Sequence, residues 1–298
     1  MICAEQVTMK FGQFTALDHL QCSIPRGCVY GLVGSNGAGK STFMRLIAGV
    51  YRPYAGQVTV EGVPVYDSPE VKEKVVFVPD DLFFLPHASM DRMAELYEAN
   101  YAKFNRTRYA ELSDGFGLDR KANIGTFSKG MRRQAAIILA LSTMPDYILF
   151  DETFDGLDPV MRNLVRKVIY GDVEERNATA VISSHSLRDL EDTCDQLALL
   201  HKGGLIFESD IENLKTNLFK VQFAFAGDYD KHVLDGVEVL SWVKKGSVAN
   251  AIVRGDREAV RAKLTADSPL LLDILPLTLE EIFIHEMEAL GYAFHDVL

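Results

Sequence analysis

The chain has 298 residues, 48% hydrophobic and 24% charged, an ordinary globular balance that suits one large domain or a large and a small one. A formal net charge of −11 argues against nonspecific nucleic-acid binding, which depends on Lys and Arg facing phosphate, so no nucleic-acid partner is expected. No stretch approaches the roughly 20 apolar residues that span a bilayer, and Ala135 to Leu141 is far too short.

The first residues lack a basic segment followed by an apolar core, so no signal peptide is expected. Cys3, Cys22, Cys28 and Cys194 form no CxxC pair and no Cys/His ligand cluster, and are expected to be reduced and mostly buried. Residues 1–30 alternate apolar and polar around Gly12 and the Pro25–Gly27 turn, which predicts antiparallel strands. Val29 to Val33 is a short apolar strand leading into a glycine-rich loop. Thr42 to Val50 then has helical spacing, with Phe43, Leu46 and Ile47 on one face.

Val75 to Val78 predicts a buried strand, Met90 to about Leu112 a helix, and Lys129 to Leu141 another helix. Tyr147 to Phe150 and Ala178 to Ser183 are further buried strands. Pro159 suits the first turn of the helix between them. Ser186 with Asp189 resembles a capping box, and Gln196 to Glu208 reads as a hairpin turning at Lys202-Gly203-Gly204. Strands alternating with helices predict a parallel sheet covered on both faces. The helical stretch from about Leu82 to 144 reads as an inserted subdomain.

Composition changes after about Asp210. Phe219, Val221, Phe223 and Phe225 recur at every second residue, a strand with one buried face, and Val237 to Val243 and Val248 to Val253 can pair with it. Thr278 with Glu281 is a capping box before a helix whose Leu279, Ile282, Phe283 and Leu290 share a face. The expected division is therefore residues 1–210 as one α/β domain and 211–298 as a small α+β domain.

The strongest chemical signal is Gly34-Ser35-Asn36-Gly37-Ala38-Gly39-Lys40-Ser41-Thr42. It matches G-x-x-x-x-G-K-[ST] between a predicted strand and a predicted helix. Glycines let successive N–H groups turn toward phosphate oxygens, and the helix aims its positive end at the same anion. Lys40 supplies a point charge to the phosphates, and the Ser41 hydroxyl can ligate Mg²⁺. The second signal is Tyr147-Ile-Leu-Phe-Asp-Glu152, an apolar strand ending in two carboxylates where open α/β sheets place their ligands. Asp151 is the expected Mg²⁺ ligand, and Glu152 the base for an attacking water.

At these residues the chain resembles the ATP-binding subunits of ABC transporters. Phe127-Ser-Lys-Gly-Met131 stands about 20 residues before the Asp-Glu pair, where that family has its signature. Phe154-Asp-Gly-Leu-Asp158 resembles its D-loop, and Ser183-Ser-His185 its switch histidine. The resemblance covers about residues 1–210. It implies a P-loop NTPase core of ABC type, with an antiparallel β subdomain and an inserted helical subdomain. It further implies ATP and Mg²⁺ as cofactors. Two such subunits would pack head to tail, so that Ser128, Gly130 and Asp158 meet ATP held by the other chain. His185 would contact the γ-phosphate, and Phe11 would stack on adenine.

The chain departs from the family pattern at three places. Phe11 replaces the usual tyrosine, yet stacking needs only a π face. Phe127, Lys129 and Met131 replace three signature residues while the Ser and second Gly remain. Asp80 follows Pro79 where glutamine is usual. Its carboxylate is shorter, cannot donate when ionised, and adds negative charge near phosphate. Asp80 is therefore expected in the nucleotide site, joining the Mg²⁺ environment.

Leu82-Phe-Phe-Leu-Pro86 lies near where the family's permease docks, or is local core. The segment from Pro276 to Gly291 resembles the tail of prokaryotic exporter-type subunits. The implied function is ATP hydrolysis that energises transport, in the export direction, through a separate permease, from the cytoplasmic side of the cell membrane. Two alternatives stand beside it: a soluble ABC ATPase that assembles or remodels a complex, and a regulated interaction protein built on the C-terminal domain.

Overall fold

The computed structural model describes residues 1–154, 156–289 and 291. They divide into two compact units, Met1–Glu208 and Ser209–Leu298. In the first, β1 (Ile2–Phe11) and β2 (Phe14–Ile24) form an antiparallel hairpin, followed by β3 (Val29–Val33) and α1 (Lys40–Ile47). Next come β4 (Ala55–Val60), β5 (Val63–Pro64), α2 (Pro69–Lys72) and β6 (Val75–Val78). The helices α3 (Met90–Asn100), α4 (Arg106–Gly115) and α5 (Lys129–Ser142) precede β7 (Tyr147–Asp151). The unit closes with α6 (Pro159–Arg176), β8 (Thr179–Ser184), α7 (Leu187–Glu191), β9 (Gln196–His201) and β10 (Gly204–Asp210).

A four-stranded sheet runs β2-β1-β4-β5, and a six-stranded sheet runs β10-β9-β3-β8-β7-β6. In the latter, β9, β3, β8, β7 and β6 are parallel to one another. Every residue of β3, β7 and β8 is buried, as a parallel sheet covered on both faces requires. One core cluster joins the antiparallel sheet to this sheet through α1, with Ile2, Leu20, Tyr30, Phe43, Met44, Ile47, Tyr147 and Leu149. The apolar spacing of α1 is thus what seats the preceding loop: Phe43, Leu46 and Ile47 are all buried.

The helix expected from Met90 to about Leu112 is two helices. Between them Asn105 adopts an extended conformation and accepts a hydrogen bond from the Arg108 N–H at 3.0 Å, a cap that starts a new helix. The capping box expected at Ser186 and Asp189 does not form. Ser186 makes no side-chain cap hydrogen bond, and the Asp189 carboxylate is taken by Arg162 of α6. All four thiols are free, and Cys3 is only half-buried. Burial pushes Cys22 up to about 12 and Cys28 up to about 11, which keeps both protonated.

The second unit contains α8 (Ile211–Asn217), β11 (Leu218–Ala224), β12 (Glu238–Lys245), β13 (Val248–Arg254), α9 (Arg257–Ala266), β14 (Leu271–Pro276) and α10 (Leu279–Ala289). Its antiparallel sheet runs β12-β13-β11-β14. Phe219, Val221 and Phe223 form one face of the core with Val253, Val260 and Leu264. The strand β14 was not anticipated, because Leu271-Leu-Asp-Ile-Leu-Pro276 lacks a clean alternation. The Thr278–Glu281 box is reciprocal: the Glu281 N–H donates to Thr278 Oγ1 at 3.2 Å, and the Thr278 N–H donates to Glu281 Oε2 at 2.9 Å. Leu279, Ile282 and Phe283 are buried, while Leu290 lies outside the described residues.

Candidate functional site

The loop Gly34–Gly39 leaves the carboxyl end of β3 and enters α1. Gly39 caps α1 with φ +109°, a left-handed value that disfavours other residues, and no side chain caps the first turn. A Cβ on Gly39 would lie 2.6 Å from Leu17 Cδ2 and 2.8 Å from the Ala16 carbonyl oxygen. Glycine therefore permits both the turn and the close approach. The uncapped N–H groups at this end of α1 form a seat for an anion.

Lys40 is 5% exposed. Its Nζ donates to the carbonyl oxygens of Gly34 at 2.6 Å and Ser35 at 3.3 Å, and pairs with Glu152 Oε1 at 3.2 Å. Glu152 Oε2 lies 2.9 Å from His185 Nδ1. Lys40, Glu152 and His185, expected from separate motifs, thus meet beyond the carboxyl ends of the neighbouring strands β3, β7 and β8.

Asp151 ends β7 and is buried. Its Oδ1 accepts from Ser41 Oγ at 3.0 Å and from Ser183 Oγ at 2.7 Å, while its Oδ2 is buried without a partner. An orphaned carboxylate oxygen beside a serine hydroxyl fits a cation ligand. Among the described residues no group of three or more His, Cys, Asp or Glu is arranged to hold a metal. This donor set suits Mg²⁺ arriving with phosphates, because that ion keeps waters and takes only one or two protein ligands.

A cavity of about 270 Å³ lies against the loop, lined by Asn36 to Thr42, Asp80, Glu152, Ala16, Phe11 and Phe14. Phe11 is 44% exposed and packs edge-on against Tyr51. Phe14, which sequence reasoning missed, is 62% exposed on the same wall. An exposed aromatic three residues from Phe11 in one hairpin turn was the available signal. A larger cavity of about 640 Å³, lined by Lys72, Phe77, Tyr97 and Tyr101, carries none of this chemistry.

Asp80 does line the cavity beside the loop, but its carboxylate has a partner that the sequence reading did not supply. Arg133 Nη2 donates to Asp80 Oδ1 at 2.7 Å, and Arg133 Nη1 donates to the Glu152 carbonyl oxygen. The charge expected to face Mg²⁺ is thus offset by a guanidinium. Arg133 lies four residues before the buried Ile137 of α5, and a cation on an otherwise apolar face was the signal for it. Ser183 was missed as well: besides holding Asp151, its Oγ accepts the Glu152 N–H at 3.0 Å.

Ser128, Gly130 and Asp158 stand apart from this cavity. Ser128 is exposed and caps α5, accepting the Met131 N–H at 3.2 Å. Asp158 is exposed and caps α6, accepting the Val160 N–H at 2.9 Å and the Met161 N–H at 3.0 Å. A Cβ on Gly130 would sit 3.4 Å from the Gly156 carbonyl oxygen, which brings the signature and D-loop segments together.

Among the described residues no helix is long and apolar enough to cross a membrane. A family model described as ABC transporter matches residues 17–155. The chain is 27% identical to the ABC transporter ATP-binding protein YtrB of Bacillus subtilis (strain 168), over 95% of this chain and 97% of that one. It is 34% identical to the ABC transporter ATP-binding protein NatA of the same organism, over 71% of this chain and 89% of that one. It is also 34% identical to the daunorubicin/doxorubicin resistance ATP-binding protein DrrA of Streptomyces peucetius, over 68% of this chain and 63% of that one. The fold is similar to that of the dimeric bacterial ABC transporter cassette MJ0796, with a TM-score of 0.64 and 23% identity over 71% of this chain and 99% of that one. The chain belongs to the ATP-binding proteins of ABC transporters.

Proposed function

We propose that this ATPase, a subunit that energises transport, drives export through a separate membrane-spanning permease, working as a dimer at the inner face of the cell membrane. We assign the cassette to residues 1–210, its helical insertion to about 82–144, and a separate small domain to 211–298.

The observation that carries the catalytic reading is the Glu152 carboxylate held between Lys40 and His185. ATP phosphates seated on the N–H groups of residues 34–42 would compete for the Lys40 ammonium. Lys40 would then neutralise phosphate charge, and the Glu152 carboxylate would be released to take a proton from the attacking water. His185 would hold Glu152 or the γ-phosphate in line. Asp151 and Ser41 would ligate Mg²⁺, which supplies charge neutralisation on the phosphates. Phe11, with Phe14 beside it, offers a π face to adenine.

Three features support the assembly. Ser128, Gly130 and Asp158 lie outside the cavity that holds Lys40, as expected if they complete the site of a second subunit. Phe83 is 76% exposed in the Leu82–Pro86 segment, an apolar side chain available to a permease. DrrA, named for drug resistance, favours export, as does the C-terminal segment from Pro276.

The test is to recover the tagged full chain from detergent-solubilised membranes. A stoichiometric, strongly hydrophobic partner whose complex hydrolyses ATP only with Mg²⁺ supports the reading. Recovery with soluble proteins alone would favour an assembly factor.

A further inference from the structure

Glu152 has an unusual backbone. Its φ is +49°, a left-handed value that a long side chain rarely adopts. Such a conformation persists only where surrounding groups hold it. Two groups do so. The Glu152 N–H is bound by Ser183 Oγ at 3.0 Å and faces the Ser183 carbonyl at 3.2 Å. The Glu152 carbonyl is bound by Arg133 Nη1. The first anchor is β8, part of the rigid sheet. The second is a side chain that reaches further.

Arg133 is only 3% exposed, and its guanidinium spans two segments. Beyond Glu152, its Nη2 reaches Asp80 Oδ1 at 2.7 Å and the Asp80 carbonyl oxygen at 3.4 Å. Asp80 follows β6, and its side chain is 60% exposed on the wall of the nucleotide cavity. The buried fork thus meets the Glu152 backbone at one end and, at the other, a carboxylate that is itself exposed. Arginine suits this task because its planar fork fixes two acceptors at once, which an ammonium does not.

We propose that Arg133 is a positioning residue for hydrolysis, tying the Asp80 loop to the backbone of Glu152 so that the set of that loop determines where the Glu152 carboxylate points. The proposal rests on the reading of Glu152 as the base. Asp80 acts here through charge, as the partner that orients the Arg133 fork. A disturbance of the loop at Asp80 reaches the base through one side chain, without touching the phosphates.

The test compares the full-length parent with Arg133→Gln, Arg133→Lys, Asp80→Asn and the double variant Asp80→Asn/Arg133→Gln. Readouts are ATP affinity, kcat and KM separately, and melting temperature. Arg133→Gln should lower kcat by up to about 10²-fold, the loss that a misplacement of about an ångström produces, with ATP affinity little changed. Arg133→Lys keeps a cation for Asp80 but cannot grip both acceptors, so kcat should fall while the melting temperature stays near the parent's. Asp80→Asn should lower kcat by less, and in the Arg133→Gln background it should add nothing.

Full kcat in Arg133→Lys overturns the proposal, because charge alone would then suffice. Multiplying losses in the double variant also overturn it, as does a fall in ATP affinity that accounts for the whole effect. A Glu152→Gln control separates the two levels. If that control keeps the parent's kcat, the base assignment fails. If it loses turnover while both Arg133 variants keep theirs, only the positioning role fails.

Discussion

The phosphate loop and the signature segment differ in how their polar groups are held. Around Lys40, Asp151 and Glu152 the side chains are buried or half-buried and bound to one another and to the loop's own carbonyls. Around Ser128 and Asp158 the side chains face solvent, and their protein partners are the N–H groups of the helices they cap. The first region is a self-contained set of charges whose partners a nucleotide must displace. The second is an exposed surface whose acceptors serve as helix caps. The contrast gives each region a distinct signature in mutants.

The largest effect is expected where the buried set is broken at the base. Glu152→Gln should reduce hydrolysis by roughly 10²–10⁴-fold, the usual worth of a general base. Because the amide is nearly isosteric and Lys40 remains, ATP should stay bound. Light scattering should then detect pairs of chains held by trapped ATP. A variant that remains monomeric with ATP would break the comparison, since the signature surface would not complete a second site.

Lys40→Ala should come next. It removes a charge-assisted contact of about 1.5–3 kcal/mol, or roughly 10- to 150-fold in affinity. Nucleotide titration of the single chain is the measurement, and unchanged affinity would mean that the loop does not hold phosphate.

Ser128→Ala sharpens the contrast. It should leave the nucleotide affinity of the isolated chain intact while turnover falls by at least about 10-fold, since one hydrogen bond to a charged group is worth about 1.5 kcal/mol or more. Reduced affinity in the monomer would place Ser128 in its own chain's site.

The smallest effect is expected for Asp158→Ala in thermal unfolding of the isolated chain. Loss of the α6 cap should cost about 0.5–2 kcal/mol. No change in melting temperature would mean that the two N–H contacts at Asp158 contribute nothing.

The features legible beforehand share a physical cause. Gly34 to Thr42 is a run in which every group that meets phosphate is a near neighbour in the chain, so local backbone chemistry specifies it. The same holds for the apolar strand ending at Asp151 and Glu152. The Thr278–Glu281 box closes within one turn. Three readings failed or were absent because a distant group intervened. Arg162 of α6 takes Asp189 from its expected cap. Ser183 reaches Asp151 across 32 residues of chain, and Arg133 reaches Asp80 across 53.

By itself, the sequence determined the phosphate loop, the order of strands and helices around it, and the family. Those depend on contiguous residues, on periodicity, and on glycines that alone tolerate the required turns. Only the tertiary structure decided what the carboxylates meet. Asp80 pairs with Arg133, Glu152 lies between Lys40 and His185, and one oxygen of Asp151 is left without a partner. The partner of a charged side chain is set by which strands and helices lie side by side, and that arrangement is not written in residue spacing.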